Sequence, residues 1–308
     1  MLGADHHVHL FSPAVIERVR PVTEEFTPGS ADELVRLLDD DGVGRALVLS
    51  VAYLFGMPDL GEPGPTDIAS ENDWVAEQVG RHPERLAACC SVNPLLPGAI
   101  GEIERCAATG SFVGLKLHLA NSKVDLRDTA HLQALAEVFG CADATGLVVA
   151  IHMRTRRPDY GTPDAEALIE HVLPSAPGVA VQIAHAAGWG GYDVPTDAAL
   201  AAFATWAAGH PAAAARVFFD LALAPLDYGV EEPVDPDPGE PAAPAGPGSR
   251  FDRLVERVRA FGLDHVLFGT DWPVVSPARY LAELEARVPL RPDEFEALRR
   301  HVAPWLQL

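Results

Sequence analysis

The residues best suited to chemistry sit at the ends of apolar runs. GADHHVH carries His7 and His9, FVGLKLHL carries Lys116 and His118, LVVAIH ends on His152, VAVQIAH on His185 and HVLFGTD on Asp271. Side chains two apart on a strand share a face, which groups His7 with His9 and Lys116 with His118. Imidazole nitrogens and a carboxylate are ligand types for zinc, iron, manganese or nickel. His-x-His alone is a weak signal, a single histidine after an apolar run is more often a hydrogen-bonded rim residue, and Asp271 could cap the segment that follows it. Recurrence at one structural position on several strands is what points to a metal centre. Lys116 stands out for another reason: with Lys123 it is one of two lysines among 23 basic residues. A buried ammonium must be paired or lose its proton, and lysine, unlike arginine, can become a neutral nucleophile.

A convergence of this kind needs strands that end at one mouth. Strands are expected at 3–9, 45–51, 85–92, 112–119, 147–152, 179–185, 216–223 and 265–271, separated by helical patterns such as ADELVRLLDD, AHLQALAEVFGCADAT and DAALAAFATWAA. Ser30 and Ser70 read as helix N-caps, and Gly146 as a helix stop. Eight buried strands alternating with helices predict a parallel sheet closed into a (β/α)8 TIM barrel, a single domain over residues 1–308. An open doubly wound sheet is the alternative, but no GxGxxG follows the first strand. In a barrel the loops after strands line the active-site face. Two long Pro- and Gly-rich connections are expected there, 53–68 and 224–249, the second being a surface segment, a lid or an oligomer contact.

Composition narrows the function. The 308 residues are 48% hydrophobic and 22% charged, values of a globular chain with a substantial core. A net charge of -21 argues against nucleic-acid and anionic-membrane partners, which need a basic patch. No basic-then-apolar leader opens the sequence, no apolar run is long enough to span a bilayer, and the four cysteines show neither zinc spacing nor a disulfide framework. A cytoplasmic protein acting on a small molecule is the expectation, with a homodimer as one option for its assembly.

In order and spacing over essentially the whole chain, ADHHVHL, GLKLH, VVAIH, QIAHAAGWGG and LFGTDWP resemble the amidohydrolase superfamily, in its amidohydrolase-related branch. The resemblance implies that His7, His9 and Asp271 hold one metal ion and that His152 and His185 hold a second. It also implies that Lys116, carboxylated by carbon dioxide, bridges the two. Two divalent ions per chain follow, zinc first, with iron or manganese as alternatives. Many members of the branch, those like aminocarboxymuconate-semialdehyde decarboxylase, use one metal and no lysine on strand 4. In that version His152 is the third nitrogen ligand, His185 is the acid/base and Lys116 contacts substrate.

Two ions about 3.5–4 Å apart can share a metal-activated, bridging hydroxide, and Asp271 is placed to take its proton and pass it to the leaving group. Hydrolysis at a carbonyl carbon of an ester, lactone, thioester or amide is the expected reaction. Non-oxidative decarboxylation at a single metal is the runner-up, and a non-catalytic binding barrel a distant third. No GxSxG elbow supports a serine hydrolase. MRTRRPDYG packs Arg154, Arg156 and Arg157 into one loop, either a solvated cluster or a clamp for an anionic substrate, with Arg154 the expected contact. His118 is expected to hydrogen-bond substrate, and Tyr53 and Trp189 to wall the pocket.

Overall fold

The computed structural model describes residues 1–24, 26–64, 66–226 and 249–307. Eight strands run in sequence order around one sheet: β1 (Leu2–Val8), β2 (Val43–Leu49), β3 (Leu86–Ser91), β4 (Gly114–His118), β5 (Val148–His152), β6 (Val181–Ile183), β7 (Val217–Asp220) and β8 (Val266–Leu267). Every consecutive pair is parallel. The last strand meets the first just beyond its own end: His6 N donates to Phe268 O (2.9 Å) and Asp271 N to His7 O (2.8 Å). The sheet thus closes into a single-domain (β/α)8 barrel, as the alternation of strand and helix patterns predicts.

Period-2 alternation sorts the side chains. On β2, Ala46 and Val48 face the helices while Leu47 and Leu49 face the barrel interior; on β4, Leu115 and Leu117 point outward. Lys116 and His118 therefore point inward, at the level of their register partners Ala150 and His152 on β5. β1 departs from this rule. Its register shifts between Asp5 and Val8, so Ala4 and His7, of opposite parity, both face inward. Below the strands the chain's end closes the floor, with Leu306 and Trp305 packed against Ala4, Leu47 and Cys89.

Local signals place most helices. Ser30 caps the helix Ala31–Asp40 through a reciprocal capping box with Glu33, and Gly146, at φ 73°, ends the helix Thr129–Thr145. Several boundaries differ from expectation. β6 stops at Ile183 and β8 at Leu267, so His185 and Asp271 lie past their strands in left-handed turns, at φ 55° and 64°. Ser70 is no cap, because the helix Asp67–Val79 has already begun. The 53–68 connection is not an open loop at its start: its 3₁₀ turns Ala52–Leu54 and Pro58–Leu60 bury Tyr53, Phe55 and Met57 against Phe11 and Val15. Most of the 224–249 connection, residues 227–248, lies outside the described residues. No helix among the described residues is long and apolar enough to cross a membrane.

Candidate metal centre

A cavity of about 210 Å³ opens at the carboxyl ends of the strands. His7, His9, Lys116, His118, His152, His185 and Asp271 all line it, together with Tyr53, Asn121 and Trp189. The sequence-expected ligands are therefore brought to one place. Aromatic contacts tie them in a chain: His7 lies 4.7 Å from His185 between ring centroids, His185 lies 5.1 Å from His152, and His152 stacks on His118 at 4.0 Å.

Hydrogen bonds behind the rings determine what each presents to the cavity. His9 Nδ1 donates to Leu49 O (2.7 Å) and His185 Nδ1 to Ala222 O (2.9 Å). A carbonyl only accepts, so both rings carry their proton on Nδ1 and turn an Nε2 lone pair forward. His7 Nδ1 faces the Asp220 carboxylate at 3.0 Å, which fixes the same tautomer. Burial lowers the His7 pKa to about 4, against the pull of Asp220, so the ring is neutral near pH 7. The Nε2 atoms of His7 and His9 then lie 3.3 and 3.0 Å from Asp271 Oδ1. These are three acceptors with no proton of their own between them, all within 4.8 Å of one another. His152 adds a fourth imidazole whose buried Nε2 has no hydrogen-bond partner. Convergent lone pairs of this kind need a cation, and neutral imidazole nitrogens with a carboxylate are the donor set of a divalent transition metal. The residues fit the metal.

His118 is different. Its Nδ1 accepts from Asn121 N (3.3 Å), so its proton sits on Nε2 and the ring is a donor toward the cavity. Burial, then the charge of Lys116, holds its pKa well below the usual histidine value, which keeps it neutral. Lys116 is 1% exposed, and burial lowers its pKa against the opposing pull of Asp220 and Asp271.

The turns that aim the ligands are braced from below. Asp5 accepts from His7 N (3.1 Å), Thr270 N (3.1 Å) and Thr270 Oγ1 (2.7 Å), and so ties β1 to the turn that ends on Asp271. Gly269 is required there because a Cβ at that position would come within 2.9 Å of His7 Cβ. Asp220 gathers four donors. Oδ2 accepts from His7 Nδ1 (3.0 Å) and Gln182 Nε2 (2.7 Å), and Oδ1 from His185 N (2.9 Å) and Ala222 N (3.2 Å). Burial works against its charge, but His7 and His185 hold the carboxyl well below the usual carboxylate range.

Arg154 does not reach the cavity. Its Nη1 is held by both oxygens of Asp193 (2.8 and 2.6 Å) and by Thr196, where it ties the loop to the helix Val194–Gly209. Arg157 is likewise paired, with Asp125 and Asp159. Arg156 lines a neighbouring surface cleft rather than the cavity, but it touches two of the cavity's lining residues, lying 5.8 Å over the Trp189 ring and 3.3 Å from Asn121 Oδ1. Sequence reasoning missed Asp220, although RVFFDLAL places an acid near the end of strand 7 just as LVVAIH places His152 on strand 5. Phe11, Phe26 and Val274, which also line the cavity, carry no sequence signal distinguishing them from core residues.

The sequence profile of a family described as amidohydrolase matches residues 4–301. A search of curated protein sequences finds no match. Among solved structures, 5-carboxyvanillate decarboxylase from Sphingomonas paucimobilis superposes with a TM-score of 0.61 at 16% identity, covering 97% of both chains. An amidohydrolase from Burkholderia multivorans with bound zinc gives 0.56 at 16%, covering 97% of this chain and 96% of that one. A probable 2-pyrone-4,6-dicarboxylic acid hydrolase from Acinetobacter baumannii gives 0.53 at 15%, covering 97% and 92%. At such identities the likeness is one of fold.

Proposed function

The chain belongs to the amidohydrolase family, and from that premise we propose that this metal-dependent enzyme hydrolyses an ester, lactone, thioester or amide at two divalent ions bridged by a carboxylated Lys116. Lys116 is the observation that carries the reading. It is a fully buried lysine on the cavity wall, in a layer of ligand-type side chains, with a pKa lowered by burial. The neutral amine can add to carbon dioxide, forming an N–C bond and releasing its proton, which leaves a carboxylate at the end of the side chain. His7, His9 and Asp271 would hold one ion and His152 and His185 the other, zinc being the first candidate and iron or manganese also suited to the set. When bound, the ions would polarise the substrate carbonyl and lower the pKa of the attacking water.

The protein's own groups do the rest. Asp271 takes the water proton and returns it to the leaving group. His118, with Nε2–H turned to the cavity, donates to a substrate oxygen. Burial, then the nearby Asp271, pushes the Tyr53 phenol far above its ordinary pKa, so it also stays a donor. Trp189, Phe11 and Phe26 wall the space beside them and exclude water. Arg156, against Trp189 and Asn121 of the cavity wall, suits a substrate with an anionic group that extends beyond the cavity.

One observation favours a second reading. Among the described residues two sets of ligand atoms lie within 4.8 Å of one another, His7, His9 and Asp271 and His7, His185 and Asp220. They share His7, and Asp220 already accepts from four donors, so the first set stands as a site for one ion. With His152 as a further ligand, His185 as acid/base and Lys116 as a substrate contact, this is the arrangement of a mononuclear non-oxidative decarboxylase. Metal analysis of the purified protein and a panel of carbonyl substrates separate the two. Two ions per chain with hydrolysis support the first reading, one ion with carbon dioxide release the second, and retention of neither metal nor turnover would sink both.

A further inference from the structure

We propose that Asp220 is a positioning residue that sets two ligands with one carboxylate: Oδ2 fixes the tautomer of His7, and Oδ1 holds the left-handed turn that aims His185. The inference rests on the reading of His7 and His185 as metal ligands. The two histidines come from opposite sides of the strand order in the chain, His7 on β1 and His185 after β6, and Asp220 at the end of β7 reaches both. It is wholly buried.

Its four hydrogen bonds divide cleanly. On the Oδ1 side, His185 N (2.9 Å) and Ala222 N (3.2 Å) are fixed donors, and Ala222 O in turn accepts from His185 Nδ1 (2.9 Å). Backbone, carboxylate and ring thus form a closed loop that stabilises His185 and Ala186 at φ 55° and 53°, a conformation that non-glycine residues rarely adopt. On the Oδ2 side, the His7 ring (3.0 Å) and the Gln182 amide (2.7 Å) are donors that can be exchanged. A neutral imidazole has one N–H. Whatever faces Nδ1 decides whether Nε2 presents a lone pair or a proton to the cavity.

Asp220→Asn tests this because it removes one acceptor and adds one donor at nearly constant shape. The two backbone N–H groups cannot reverse, so the amide oxygen must stay on their side and the new NH₂ must face His7. Gln182 can turn its Oε1, buried without a partner, to accept from the new amide, giving up the Nε2 hydrogen bond to His6 O (2.9 Å). His7 Nδ1 must then accept, which moves the ring proton to Nε2 and blocks that nitrogen as a ligand. His185 keeps both of its hydrogen bonds and serves as an internal control.

The readout is nitrogen NMR of metal-free protein labelled with ¹⁵N-histidine, with His7 and His185 assigned by substitution, followed by zinc titration of the same samples. In wild type both rings should be protonated on Nδ1. In Asp220→Asn only His7 should switch to Nε2–H, and zinc should bind about 10–100-fold more weakly. A purely structural Asp220 would lower thermal stability and leave the tautomer alone, and an unswitched His7 in a folded variant overturns the proposal. A switched His7 with unchanged zinc affinity upholds Asp220's control of the ring and overturns the ligand assignment instead. If the variant does not fold, the wild-type spectrum still decides: Nδ1–H on His7 supports the proposal and Nε2–H overturns it.

Discussion

His6 and His7 are neighbours in the chain, both buried on the inner side of β1, and they do opposite things. His6 lies toward the floor, where Nδ1 donates to Phe268 O (2.9 Å) and Nε2 accepts from Ala303 N (3.1 Å). Burial lowers its pKa to about 4, so it is a neutral ring with one donor and one acceptor, and the fold supplies a partner for each. His7 and His9, toward the mouth, are held only through Nδ1, and their second nitrogens converge on Asp271. Residue type and burial are alike in the two regions. The difference is whether the second nitrogen is satisfied by the protein, and that separates a histidine that builds the fold from one that awaits a ligand.

The comparison breaks most sharply under paired substitutions. Removing both mouth rings in His7→Ala/His9→Ala should abolish bound metal and lower turnover by several orders of magnitude. The metal-free protein should also lose some stability, because Asp220 Oδ2 keeps only Gln182 and Leu49 O is left unpaired, and zinc should no longer raise its melting temperature. His6→Ala should separate the two. It leaves a carbonyl and an amide unpaired in the floor and costs about 3 kcal/mol, yet the folded fraction should bind metal as before. Elemental analysis beside thermal melts with and without zinc reads both effects. Normal metal content in the double variant would end the assignment of the mouth.

Lys116 sharpens the same contrast between a satisfied and a waiting group. As a carboxylated bridge, its replacement by alanine should lower the metal count from two to one and remove most activity, with partial rescue by added short carboxylates. As a substrate contact it would leave the metal count unchanged and raise KM alone. Incubation with ¹³C-labelled carbon dioxide adds a direct readout, a carbamate carbon signal absent from Lys116→Ala. A smaller effect is expected beside the cavity. Arg156→Ala should raise KM about tenfold for anionic substrates and little for neutral ones, consistent with loss of one charge-assisted contact. Arg154→Ala should instead lower stability, because it removes the charge partner of the half-buried Asp193 carboxylate and leaves it with Thr196 alone.

How much of this was legible follows from what each signal encodes. The barrel follows from alternating apolar runs, and the chemistry-bearing residues from their position at the ends of those runs. Spacing alone could not say which of Arg154, Arg156 and Arg157 is held by an acid, because that depends on Asp193, Asp125 and Asp159. The left-handed turns at His185 and Asp271 were invisible for a related reason: strand patterns run smoothly into them, and only tertiary hydrogen bonds from Asp220 and Asp5 stabilise the change of direction. Asp220 could have been flagged at the end of strand 7. A lone acid on one strand simply looked weaker than histidines recurring on several.

The smallest effect concerns a carboxylate that, unlike Asp271, is fully paired. Glu294 joins the last helix, Pro292–Arg300, to the helix Arg250–Phe261 by a bidentate pair with Arg259 (2.8 and 2.7 Å), and it also accepts from Arg291 N (2.7 Å). The Arg259 hydrogen bonds, against the opposing effect of burial, lower its pKa from 4.5 to about 2. A carboxyl with a depressed pKa in the folded state stabilises the protein fully above the unfolded value, and that contribution fades as pH falls from about 4.5 toward 2. Wild type should therefore melt above Glu294→Gln at pH 6, and the gap should narrow steadily below pH 4.5. Turnover per folded molecule should be the same in both, since Glu294 does not line the cavity. A gap that has not narrowed by about pH 2 would mean that the pair contributes packing rather than charge. A loss of turnover without loss of fold would mean that the two regions are coupled.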